Sequence, residues 1–428
     1  MIIRNLVGCT MAVASLLLAT QAPAAPQVQP SERVTSRLIV RSEPTTESTP
    51  VDTLEPGEVV DFKRSLPGWI EVQLPDGRSG YVSKMWAIVI DETVASPYRL
   101  HFIDVGTGLA VFVEARDFAV LYDGGSNDDL KRGVSNRLLA YLRHVSPNLR
   151  VIDHLILSHP HRDHVELLPD VFDAYQVRNV WDSGRVNATC GYRAFLEKTA
   201  AEAGVAYHDA LPHQGLHNVP FKAQRCYGSA LPAATVSIPH ASQISSQLVP
   251  LGQGARMQFL HADGGEHGSE NENSLVVRLE LGNRRILLTG DAEAGGRQPP
   301  SSPPHPQSIE GKLLACCSAL LKSDILVVGH HGSMTSSRTR FLDSVEANAF
   351  VVSTGPKKYA SVTLPDQVVI DELSRRGTVW RTDLTDVACR GAIKVGPDND
   401  GRPGGCDNIR AVITEAGALN IQYDRNPD

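Results

Sequence analysis

The 428-residue chain carries a formal net charge of −7, with 42% hydrophobic and 21% charged residues. This is a globular balance, and the length exceeds what one small core organises, so two domains are expected. The negative charge excludes a general attraction to phosphate backbones and leaves only a local basic groove for such a partner.

Residues 1–25 combine Arg4, an apolar run from Met11 to Ala19 and the small-residue pattern Ala22-Pro23-Ala24. That is the layout of a secretory signal peptide, and the apolar run is short for a membrane span. No later segment reads as a transmembrane helix, so the mature protein is expected in the periplasm or outside the cell. Of the seven cysteines, Cys9 falls in this leader; Cys190, Cys226, Cys316, Cys317, Cys389 and Cys406 remain. An even set in an exported chain suits disulfides, and proximity in sequence pairs Cys190 with Cys226 and Cys389 with Cys406. Free buried thiols are the competing reading. The absence of a CxxC spacing leaves a cysteine-rich zinc site or a thioredoxin-type site unsupported.

Residues 33–92 read as short strands broken by turns. Trp69-Ile70-Glu71-Val72-Gln73-Leu74 alternates, Pro75-Asp76-Gly77 turns, and Tyr81-Val82 returns, as in a hairpin. Several strands in so short a stretch suggest a small all-β barrel. The residues Gly68, Trp69, Val72, Leu74, Asp76, Gly77, Gly80, Tyr81 and Val82 meet the pattern GW..V.L.DG..GYV, and the segment resembles a bacterial SH3-like domain. The resemblance implies contact with cell-wall peptides; a structural spacer is the alternative.

A second unit, residues 98–428, alternates strands and helices. "LHFIDVGTGLAVFVEARDFAVLYDGG" gives apolar strands with glycine turns, "VSNRLLAYLRHV" has helical spacing, "HLILSH" is a buried strand, and "VELLPDVFDAY" is helical again. "SLVVRLELGNRRILLTGD" forms a strand pair around Gly282-Asn283, and "DILVVGHH" is a further apolar strand. Segments near 184–247 and the proline-rich 295–308 read as surface insertions.

Several of these strands end in polar residues. His159 and His161 sit two apart at the end of a strand and can face one way, and Asp163 and His164 follow where a helix begins. Imidazole and carboxylate suit zinc, and two such pairs side by side suit two metals. A solvated polar turn is the competing reading. Asp291 ends "RRILLTGD", where a carboxylate could bridge two metals or cap a helix, and His330 and His331 end "LVVGHH".

In this order "HPHRDH", "LLTGD" and "HHGS" resemble the metallo-β-lactamase superfamily, and more narrowly its branch containing the hydrolase-like domain of the DNA-uptake protein ComEC. "FIDVGTGL" from Phe102, "LYDGG" from Leu121, "NSLVV" from Asn273, "HHGSMTS" from His330 and "RTD" from Arg381 extend the match over most of residues 100–385. The resemblance implies an αββα sandwich with a dinuclear site at one edge, following the SH3-like barrel. It makes His159 and His161 ligands of a first metal, Asp163 and His164 ligands of a second, Asp291 the bridge, and one of His330 and His331 the completing ligand. Asp123 would orient a ligating histidine, or else be a turn residue before Gly124-Gly125. Three departures stand out. A third histidine for the first metal is missing before "NSLVV", where Asn271, Asn273 and His267 are the candidates. Thr107 and Leu109 replace the Gln and Asp of "DVGQGD". Leu364 stands where a histidine often precedes the late proline.

The expected function is therefore an exported dinuclear-zinc hydrolase acting by metal-bound hydroxide, with manganese or iron also compatible with the ligand types. Asp163 and His331 are the catalytic candidates, and Ser333, Lys357 and Lys358 the candidate contacts to an anionic substrate; the lysines also fit plain solvated charges. The branch implies a phosphodiester, from nucleic acid or a cell-envelope polymer. A β-lactam or other ester hydrolase is the alternative, and a non-catalytic envelope-binding scaffold is the third reading.

Overall fold

The computed structural model describes residues 26–31, 34, 36–90, 98–127, 133, 136–212, 215–359, 361–384, 407–414 and 416–424. The leader and the Cys389–Cys406 pairing lie outside them. The chain divides into two compact units, Met1–Val94 and Ala95–Asp428.

In the first unit seven antiparallel strands form one sheet in the order Pro50–Leu54, Leu38–Arg41, Ser79–Ser83, Trp69–Gln73, Val60–Leu66, Gln27–Pro30, Ala87–Ile90. Alternation along Trp69–Gln73 buries Ile70 and Val72 while their neighbours stay partly exposed. These two pack with Val28, Val40, Leu54, Leu74 and Val82 into a core of this unit's own. The hairpin read from the sequence is present, with Trp69 opposite Ser83 and Val72 opposite Gly80.

The second unit is a four-layer α/β sandwich. One sheet has ten strands, in the order Leu216–Phe221, Ala234–Gln243, Ala206–Asp209, Gln176–Asp182, Val151–Ile156, Ala119–Tyr122, Val111–Glu114, Tyr98–Phe102, Ile409–Ile413, Leu419–Tyr423. The other has seven: Leu248–Gly252, Ala255–His261, Val276–Leu281, Arg284–Leu288, Ile325–Val327, Ala349–Val352, Thr378–Arg381. Val111–Glu114, Ala119–Tyr122, Ile325–Val327 and Ala349–Val352 are buried at every position, as strands covered on both faces must be. Leu100, Phe102, Val120 and Tyr122 of one sheet meet Met257, Val277, Leu279 and Leu288 of the other in the central core. Helices Arg137–Val145 and Cys190–Ala201 cover the outer face of the larger sheet, and Ile309–Leu321, Thr339–Val345 and Gln367–Ser374 that of the smaller. Asn136, Thr189 and Ser308 cap three of these helices by accepting from Leu139, Tyr192 and Gly311 backbone N–H groups, which would otherwise be unpaired.

Of the two segments read as surface insertions, 184–247 is instead built into this sandwich, while 295–308 is a largely exposed loop as expected. Residues 184–247 supply a core helix and three strands of the larger sheet, and the Cys190–Cys226 disulfide ties that helix to a short hairpin. "LHNVPF" forms a strand at the sheet's edge, with His217, Val219 and Phe221 buried and the residues between them exposed. In 295–308, buried Arg338 donates to the carbonyls of Gly296, Gln298 and Pro299 and so pins the proline-rich stretch. A second disulfide joins the neighbours Cys316 and Cys317, a pairing the sequence reading did not choose.

Parallel pairing aligns the strand ends. Tyr122 lies opposite Ile156, Leu288 opposite Val327, and Val327 opposite Val351, so the residues that follow these strands emerge together at one edge. Leu288 is fully buried three residues before Asp291. Leu288→Ala should cost about 2–5 kcal/mol in urea unfolding through the cavity it leaves.

Candidate metal centre

Asp123, His159, His164, Asp291 and His331 are 0 to 2% exposed, and Asp163 6%. Ionisable groups buried at this density persist only when paired with one another or with a metal. Two groups of ligand atoms lie within 4.8 Å of one another: His159, His161 and Asp291, and Asp163, His164 and His331. All six are among the sequence candidates.

Asp291 lies between them. Its Oδ1 is 3.2 Å from His164 Nε2 and 3.5 Å from His331 Nε2, while its Oδ2 is 3.7 Å from His159 Nε2. His159 Nε2 in turn lies 3.0 Å from His161 Nδ1. Gly290, at φ +53°, makes the turn that delivers Asp291; a Cβ there would meet Ser158 at 2.8 Å. His330 and His331 adopt φ of 49° and 53°, and Asp123 59°. Three non-glycine residues in the left-handed region at one sheet edge are strain of the kind found at functional sites.

The remaining imidazole nitrogens are held from outside. His164 Nδ1 is 2.7 Å from Asp123 Oδ2, and Asp123 also accepts from the Ser158 backbone N–H and hydroxyl. His331 Nδ1 donates to the Ser353 carbonyl at 2.8 Å, and His161 Nε2 lies 3.3 Å from Glu270. Such partners fix the tautomer and leave the opposite nitrogen for a metal. The fit can be tested on His164 Nε2, His331 Nε2 and Asp291 Oδ1: all three are buried, the two nitrogens lie 3.2 and 3.5 Å from the oxygen, and none makes a hydrogen bond of good geometry. Lone-pair donors left unmatched in this way fit a cation, so the residues present suit a metal.

Electrostatics agree. Burial opposes charge on Asp291, yet His331, His164 and His330 hold its carboxyl well below the carboxylate range. Asp163 is likewise lowered, by His331 and His164, against its burial. Burial would also lower His164, but Asp291 and Asp123 raise it well above the usual imidazole value; Asp291 and Asp163 raise His331. His159 is pushed down by burial and by its histidine neighbours. Burial pushes Asp123 up, against the opposing pull of His164.

Other candidates lie differently. Ser333 is buried, and its hydroxyl accepts from Arg297, the Thr335 N–H and the Thr335 hydroxyl, so it braces the turn and offers no free face. Lys357 is half-buried and Lys358 exposed, in and beside the short hairpin formed by Lys358–Tyr359 and Val362–Thr363. Of the candidates for the missing histidine, His267 turns to Asp263 at 3.0 Å and Asn273 donates to the carbonyls of Asp263 and Gly265. Asn271 Nδ2 reaches Glu293 and His330.

Sequence reading missed Tyr359 and Asn127. Tyr359 donates to Asp163 Oδ2 at 2.6 Å, and Asn127 Nδ2 donates to the same oxygen at 2.8 Å. Neither belongs to a histidine–carboxylate motif; Tyr359 is 196 residues from its partner, and only its place after "GPKK" hinted at a role. Glu270 and Glu293, beside His161 and His330, were missed for the same reason.

Residues 103–355 match the Metallo-beta-lactamase superfamily. The chain belongs to the metallo-beta-lactamase superfamily. Residues 36–87 match a bacterial SH3 domain. Its curated relatives include Recombination protein 2 of Haemophilus influenzae, 25% identical over 317 residues, covering 74% of this chain and 31% of the relative. Competence protein ComA of Neisseria gonorrhoeae is 24% identical over 295 residues, covering 68% of this chain and 31% of the relative. The chain thus spans under a third of the length of these relatives. Among solved structures, the metallo-beta-lactamase fold protein YhfI from Bacillus subtilis is 12% identical with a TM-score of 0.36, covering 67% of this chain and 96% of that one.

Because His164 and His331 sit above the usual imidazole range, a metal arriving at this metallo-beta-lactamase centre must displace their protons. Metal affinity should therefore fall as pH drops from about 8 to about 6, with proton release visible as buffer-dependent heats in titration calorimetry. Asp123→Asn removes the charge behind His164 and should weaken metal binding by about 10–100-fold in chelator competition.

Proposed function

We propose that the protein is an exported dinuclear metallo-hydrolase that cleaves a phosphodiester, with nucleic acid as the substrate class. The observation that carries this reading is Asp291, one buried carboxylate turned to two separate ligand clusters. Zinc suits the imidazole and carboxylate donors, and manganese or iron are compatible. Divalent metals held there lower the pKa of water and polarise the oxygen of the bond under attack.

The chain's own residues do the rest. His159 and His161 serve the first metal, and Asp163, His164 and His331 the second, with Asp291 between them. Asp163 stays ionised, its carboxyl held below the carboxylate range by His331 and His164, which suits it to bind the second metal and to orient what arrives there. Tyr359 and Asn127, both donating to its Oδ2, fix its orientation. Lys357 and Lys358 precede Tyr359, whose hydroxyl reaches Asp163, and are the candidate cations for an anionic substrate.

The relatives' names, recombination and competence, refer to processes acting on DNA, which supports nucleic acid over other phosphodiesters. The Cys190–Cys226 disulfide supports an oxidising compartment such as the periplasm. Among the described residues no helix is long and apolar enough to cross a membrane. The SH3-like unit supports a wall contact, with a groove of about 450 Å³ lined by Trp69, Trp86, Arg37 and Arg41.

Hydrolysis of bis(p-nitrophenyl) phosphate and of single-stranded DNA, measured beside a chromogenic cephalosporin, tests the proposal. Phosphodiester cleavage by wild type should fall at least about a hundredfold in Asp163→Ala. Cephalosporin turnover without phosphodiester cleavage would transfer the site to β-lactams, and no turnover of either would leave a scaffold.

A further inference from the structure

The centre as described gives the first metal two imidazoles and a share of Asp291, and the position that often supplies a third histidine is filled by residues engaged elsewhere. We propose that His330 is that third nitrogen, so that the adjacent histidines of "HHGS" divide between the metals, His330 to the first and His331 to the second. The inference rests on the dinuclear reading above and extends it.

Three observations carry it. The two oxygens of Asp291 sort the histidines: Oδ1 faces His164 and His331, at 3.2 and 3.5 Å, and Oδ2 faces His159 and His330, at 3.7 and 3.9 Å. His330 also follows the tautomer logic of the other ligands. Its Nδ1 bonds the Thr335 hydroxyl at 2.6 Å and lies 3.0 Å from Glu293 Oε1. Thr335 gives its own proton to Ser333, so it accepts from Nδ1–H, and the Nε2 lone pair faces Asp291 Oδ2 at 3.9 Å and takes the Asn271 amide N–H at 3.3 Å, a contact a metal would replace. Finally, the left-handed backbone at both His330 and His331 turns two consecutive side chains towards opposite oxygens of one carboxylate. A strained dipeptide with only one ligand in it would have no such reason to persist.

The arrangement also accounts for Asn271. Its Nδ2 lies 3.3 Å from His330 Nε2 and 3.1 Å from Glu293 Oε1, so it braces the ring beside the position the missing histidine would take.

His330→Gly is the direct test, because the φ of 49° suits glycine and the backbone needs no rearrangement. Full-length protein is loaded with Co²⁺, and bound metal is counted alongside the visible spectrum. Wild type should hold two ions per chain and His330→Gly one, with first-site affinity down at least about a hundredfold. Added imidazole should restore the second ion and its spectrum, a rescue that a merely structural histidine would not show. Lys222→Ala, at an exposed position outside the centre, should keep both ions and serves as the folded comparison. If His330→Gly binds two ions with wild-type affinity, or if imidazole does not restore the second ion, His330 is not the ligand. If wild type itself binds fewer than two, the dinuclear reading fails with it.

Discussion

The carboxylate of Asp291, shared between two sets of imidazoles, is the constraint on which the rest of the second unit depends. An unpaired buried carboxylate would cost several kcal/mol, on the order of what a whole domain retains as net stability. It is tolerable only because His164 and His331 stand within 3.5 Å of one oxygen and His159 stands near the other. That geometry needs strand ends from both sheets to meet. The smaller sheet brings Asp291 and the histidine pair, and the larger brings Asp123 and the "HPHRDH" turn. The central apolar core fixes the register between the sheets, and so the distance between ligand and bridge.

Support continues outward from the ligands. Glu270 stands behind His161, Asp123 behind His164, the Ser353 carbonyl behind His331, and Glu293 with Thr335 behind His330. The helix that begins at Arg162 is held from its other side, where Tyr227 donates to Glu166 at 2.6 Å. Tyr227 follows Cys226, so the disulfide to Cys190 secures a contact one turn from Asp163. A segment that reads as a detachable surface excursion therefore helps position the metal motif.

What could be read in the sequence was whatever is local. HxHxDH declares itself because its four members lie within six residues and because a strand followed by a helix start gives them one direction. The SH3-like hairpin was legible for the same reason, through period-two alternation around Pro75-Asp76-Gly77. The apolar strands of the sandwich were legible because burial on both faces leaves unbroken runs. What escaped depends on tertiary placement. Tyr359 and Asn127 meet on Asp163 from distant parts of the chain, and no spacing rule links them. The strands Leu216–Phe221 and Ala234–Gln243 join the larger sheet only by pairing with a distant strand and with each other, so within a segment rich in exposed polar residues their place in the sandwich did not show. The two histidines of "HHGS" could not be told apart, because they share residue type and left-handed backbone and differ only in which Asp291 oxygen each faces.

Charge at the centre points to the kind of molecule that completes it. Two raised imidazoles face two depressed carboxylates, so in the absence of metal the protons nearly balance the buried anions. On the proposed reading, two divalent ions exchange for those two protons, so the centre gains two positive charges over its metal-free state. Asp123, Glu270 and Glu293 stand behind His164, His161 and His330 and offset that gain from outside the ligand set. The balance at the centre is therefore struck between the metals and five carboxylates, and it is local: the chain as a whole is negative and draws no polyanion to its general surface. An anionic substrate on this reading is held by the metals themselves, which is why the proposed chemistry depends on both clusters being filled.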